Sequence, residues 1–71
     1  MNSEETLIRS LALKALEMTS FSPKEIERSC WMVVHEYRHG VMPVEYDIKD
    51  IDETLYLNVL QYAKAKGQIN Q

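Results

Sequence analysis

Two histidines four residues apart bracket a glutamate in the run His35-Glu36-Tyr37-Arg38-His39. On a helix this spacing puts both imidazoles on one face, where they can share a tetrahedral metal ion. The glutamate directly after the first histidine is then placed to polarise a metal-bound water as general base. His35 and His39 are the candidate ligands and Glu36 the candidate base.

With the apolar Met32-Val33-Val34 before it, the run resembles the HExxH motif of the zinc metallopeptidases. The resemblance implies a zinc cofactor and hydrolysis at Glu36, and it covers this short stretch alone. The surroundings depart from that pattern. Arg38 puts a cation inside the motif, and Gly40 ends the helix directly after the second ligand. The chain has only two histidines, so a third ligand would have to be an acid such as Glu45, Asp47 or Asp50. A chain of 71 residues is also too short to build the sheet-lined cleft of those enzymes. The expectation is a protein without catalysis or resident cofactor, with zinc at His35 and His39 as the alternative.

A second constellation surrounds the first. On a helical wheel Lys24, Arg28, Trp31, His35, Arg38 and His39 share the outer side of one helix. A cationic face with an aromatic at its middle has the composition of an interface hot spot. The rival expectation is that Trp31 packs against a neighbouring element. Helix, four-residue turn and helix also allow a helix-turn-helix with this face as the reading face. The net charge of -3 and the lack of a basic tail argue against nucleic acid.

Three amphipathic helices must position these residues, so the fold class is all-α, a small three-helix domain. Helix 1 covers about residues 4–19, capped by Asn2 or Ser3, with Leu7, Ile8, Leu11, Ala15 and Met18 as its core stripe. Helix 2 covers 23–39. Ser22 is its N-cap, Pro23 its first residue, Glu25 completes a capping box, and Phe21 and Ile26 form a staple. Its stripe is Ile26, Cys30, Val33, Val34 and Tyr37, and Gly40 is its left-handed terminator. Helix 3 covers 51–66, from an Asp50 cap to a Gly67 stop. Ile51, Leu55, Val59 and Tyr62 face one way, Tyr56, Leu60 and Ala63 widen that face, and Leu57 lies further round. Between helices 2 and 3, Val44, Tyr46 and Ile48 alternate with Glu45, Asp47 and Lys49 at a strand period. A lone strand has no partner in the chain, so 41–49 reads as an extended connector. The alternative is an edge that pairs with its own copy.

The bulk numbers set the remaining bounds. The length suits one domain spanning 1–71, small enough that burial is marginal. The single cysteine, Cys30, cannot form an internal disulfide and reads as a core thiol in a reducing compartment. The acidic N-terminus lacks the basic start of a secretory signal, and no apolar run approaches bilayer length. The expected setting is cytoplasmic, with no membrane. Leu13, Leu57, Leu60 and Trp31 exceed what so small a core can cover. The expected function is therefore a non-catalytic protein–protein interaction module of adaptor or regulator type. Its partner is another protein or its own copy, a homodimer with helix 3 in the interface. Arg28, Trp31, His35, Arg38, Leu57 and Leu60 are the candidate partner-binding residues.

Overall fold

The computed structural model describes residues 3–18, 22–44 and 51–69. They form three helices: α1 over Ser3–Glu17, α2 over Pro23–His39 and α3 over Glu53–Ile69. Each packs against both of the others. The expected all-α three-helix architecture is what the chain adopts, and no strand occurs among the described residues.

The helix ends follow local chemistry. Ser22, in extended backbone, accepts a hydrogen bond at its hydroxyl from the Glu25 N–H, 3.3 Å away, and Pro23 opens α2. This satisfies a donor that has no partner within the helix. At the other end Gly40 takes the left-handed conformation at φ 82°, and its N–H donates to the Glu36 carbonyl at 2.7 Å. A residue with a Cβ is strained in that conformation, which is why glycine stands there. Helix α3 is capped by Asp52, whose Oδ1 accepts from the Leu55 N–H at 3.1 Å. The cap therefore sits two residues beyond the expected one, and Asp50 lies outside the described residues. Gly67 does not stop α3, which continues to Ile69. Gly67 is buried, and packing overrides the propensity cost of an interior glycine, about 1 kcal/mol. The Phe21 half of the staple also lies outside the described residues, as does most of the alternating segment. Residues 41–44 are neither helix nor strand.

The core comprises Leu11, Ala12, Ala15 and Leu16 of α1, six residues of α2, and Leu55, Tyr56, Val59 and Ala63 of α3, with Ile51 just before it. Two stripes differ from the wheel. On α1, Ala12 and Leu16 are buried while Met18 is exposed. On α2, Ser29 and Trp31 join Ile26, Cys30, Val33 and Val34. Ser29 and Trp31 are two residues apart, so the buried arc spans about 200° of the helix. One packing partner covers a narrower stripe than this. Two partners, α1 and α3, require it. Trp31 is 1% exposed, which corrects its expected place on the outer face. Tyr37 is the opposite correction. It falls at the middle of the buried arc by angle yet is 58% exposed. Burial along α2 stops at Val34, and Tyr37 to His39 are exposed.

Surface ion pairs join the helices around this core. Lys14 of α1 pairs with Glu36 of α2, and Lys64 of α3 lies 3.7 Å from Glu27 of α2. Both are solvent-accessible and contribute little individually. Truncating the buried indole should cost far more. Trp31→Ala is expected to lose about 3–5 kcal/mol, most of the stability of a domain this small, read by urea unfolding. Burial also pushes the Cys30 thiol from 9.0 up to about 12, with Lys64 opposing and Glu27 adding to the shift. The unfolded chain therefore gives up this proton first. The stabilisation is intact below pH 9 and is lost as pH rises from 9 towards 12. Urea midpoints of wild type and Cys30→Ala across that range should converge as the pH rises; parallel curves would contradict the assignment.

Candidate functional site

The His35–His39 run is the outer part of an aromatic ladder. Trp31, His35 and His39 recur every four residues, so they climb one face of α2. The Trp31 and His35 ring centroids are 5.3 Å apart and tilted by 39°. Those of His35 and His39 are 4.4 Å apart and tilted by 42°. The ladder begins in the core at Trp31, passes through half-buried His35 and ends in solvent at His39.

The chain reversal at Gly40 completes the site. It returns the backbone over the last turn, so the Val41 carbonyl oxygen lies 3.1 Å from His35 Nδ1. A carbonyl only accepts, so Nδ1 must carry the proton and donate. In the neutral ring the lone pair then resides on Nε2. The same reversal that ends the helix thus selects the tautomer of its first histidine.

Glu36 is engaged elsewhere. Its Oε1 takes the Lys14 ammonium of α1, so the carboxylate that the motif would use as a base tethers two helices. The acids suggested as a third ligand, Glu45, Asp47 and Asp50, lie outside the described residues. Among the described residues no three His, Cys, Asp or Glu side chains gather into a metal cluster.

The other candidate residues disperse. Lys24, Arg28 and Arg38 are exposed as expected, but Trp31 is not among them, so the cationic face has lost its aromatic centre to the core. Arg28 lines an open groove of about 490 Å³ with Lys24, Glu25 and Glu27, where acids offset the bases. Leu57 is 54% exposed. Leu60 is half-buried and packs against the core, so it is only partly available to a partner.

Two members of the site were illegible in the sequence, Lys14 and the Val41 carbonyl. Lys14 comes from another helix. The carbonyl is a backbone group, and its position depends on the φ of Gly40.

The chain belongs to a family described as a domain of unknown function (DUF8662), which spans residues 6–67. No curated protein and no solved structure matches it significantly.

The ladder makes the two histidines unequal. His35→Ala removes a ring contact on each side and the bond to Val41, and should cost about 1–2 kcal/mol. His39→Ala acts at the exposed end of the ladder and should cost less than His35→Ala. Equal losses in urea unfolding would contradict this ordering.

Proposed function

We propose that this member of the DUF8662 family is a small non-catalytic interaction module that associates with a second copy of itself. The observation that carries this reading is the apolar lip at the C-terminal end of α2. Tyr37, Val41, Met42 and Val44 are all exposed there within one short stretch, and Val44 is 98% exposed. Isolated exposed apolar residues are ordinary, but neighbouring ones need a surface to cover them. A second copy supplies it, because a chain of this size buries too little of its own area. Leu13 of α1 and Leu57 of α3 are further exposed leucines, and Leu57 keeps helix 3 available as part of the interface. The engagement of Glu36 with Lys14 supports a structural rather than a catalytic use of the motif. The reduced, buried Cys30 fits a cytoplasmic setting.

Sedimentation equilibrium tests this directly. The wild-type chain should be a dimer at high micromolar concentration. Val44→Asp should shift it to monomer by at least tenfold in dissociation constant, about 1.4 kcal/mol. Its side chain is already in water, so the fold should persist by circular dichroism. A wild-type monomer at that concentration would sink the proposal. A dimer that resists Val44→Asp but yields to Leu57→Asp would move the interface to α3.

A further inference from the structure

We infer that His35 and His39 form a two-imidazole clip for a late first-row divalent transition metal, with Zn²⁺, Ni²⁺ and Cu²⁺ as the class of ligand. This site is independent of the self-association proposed above. It needs one chain, and it lies on side chains that the apolar lip does not use.

Three observations support the clip. The first is proximity. A zinc–nitrogen bond of about 2.0–2.1 Å places each imidazole centroid about 3.2 Å from the metal. Two rings at a right-angled pair of positions then have centroids about 4.5 Å apart, and at tetrahedral positions about 5.2 Å. The observed 4.4 Å matches the first and needs a small opening for the second. His39 is exposed, and His35 is held through its Nδ1.

The second observation is the tautomer. Metal-ligating histidines almost always donate their other ring N–H to a carboxylate, a backbone carbonyl or water, which sets the ring and directs the lone pair. His35 already does this through Nδ1 to Val41, so its Nε2 is the ligating nitrogen before any ion arrives. The third is access. His35 is half-buried against Trp31 and His39 is exposed, so the pair is rooted in the fold and reachable from solvent.

The donor set decides the class. Two neutral imidazoles suit zinc, copper and nickel and offer nothing to magnesium or calcium, which take oxygen ligands. With two protein donors, the remaining positions hold water. Glu36 serves the fold through Lys14 and is not a ligand.

Isothermal titration of Zn²⁺, Ni²⁺ and Mg²⁺ into the full chain, in a non-chelating buffer, reads the site. Zinc and nickel should bind with micromolar affinity and magnesium should not bind. His39→Ala should weaken zinc by about a hundredfold, the loss of a second tethered ligand. Glu36→Gln should leave it within about twofold. Imidazole nitrogen NMR should show His35 Nε2 shifting on zinc addition while Nδ1 keeps its proton. The inference is overturned by zinc affinity no better than millimolar, by His39→Ala binding as tightly as wild type, or by metal at Nδ1 of His35.

Discussion

The burial of Trp31 is the contact on which the arrangement of the three helices depends. An indole is the largest side chain a small core can hold, and here it is almost fully enclosed in α2, which packs against both α1 and α3. Enclosing it requires the buried arc of α2 to extend well past the usual stripe. The other fully buried side chains are correspondingly small: Ala12, Ala15, Cys30, Val33, Val34, Val59 and Ala63. Small buried side chains let helix backbones approach closely, and one large one takes up much of the remaining core volume. The radius of gyration, 11.2 Å, is that of a close-packed chain of this length, about 11 Å.

From that anchor, order is passed outward along α2. His35 rests on Trp31, His39 rests on His35, and the left-handed Gly40 returns Val41 to fasten His35. From Trp31 through His35 to His39, each ring is more exposed than the last. The histidine-rich turn is consequently ordered at its root and accessible at its tip, a gradient that a uniformly exposed helix would lack. The same turn also presents exposed Tyr37 and the apolar residues that follow the reversal.

The HExxH spacing illustrates how little a short motif decides alone. Helical geometry brings two histidines onto one face wherever the spacing occurs. What the glutamate between them does depends on its neighbours, and here the nearest opposite charge is on another helix. The Lys14–Glu36 pair joins α1 to α2, as Lys64–Glu27 joins α3 to α2. Acids that could neutralise a metal in an enzyme are used in this fold to set the relation between helices.

Local signals carried most of the secondary structure. Ser22-Pro23 and Gly40 mark the ends of α2 because capping and left-handed backbone are properties of one or two residues and do not wait for the rest of the fold. The apolar face of α3 was legible for the same kind of reason: Leu55, Tyr56, Val59 and Ala63 recur at the helical period, and burial follows them. The His35–His39 pairing likewise follows from spacing. Tertiary structure decided what a single-helix wheel cannot express. It set how wide an arc of α2 two neighbours would cover, which took Trp31 and Ser29 into the core. It left Tyr37 in solvent although its angle falls within the buried arc. It supplied Lys14 and the Val41 carbonyl, which give Glu36 its partner and His35 its tautomer. Periodicity and caps are determined by residues adjacent along the chain, whereas coverage and partnership are determined by which helices meet.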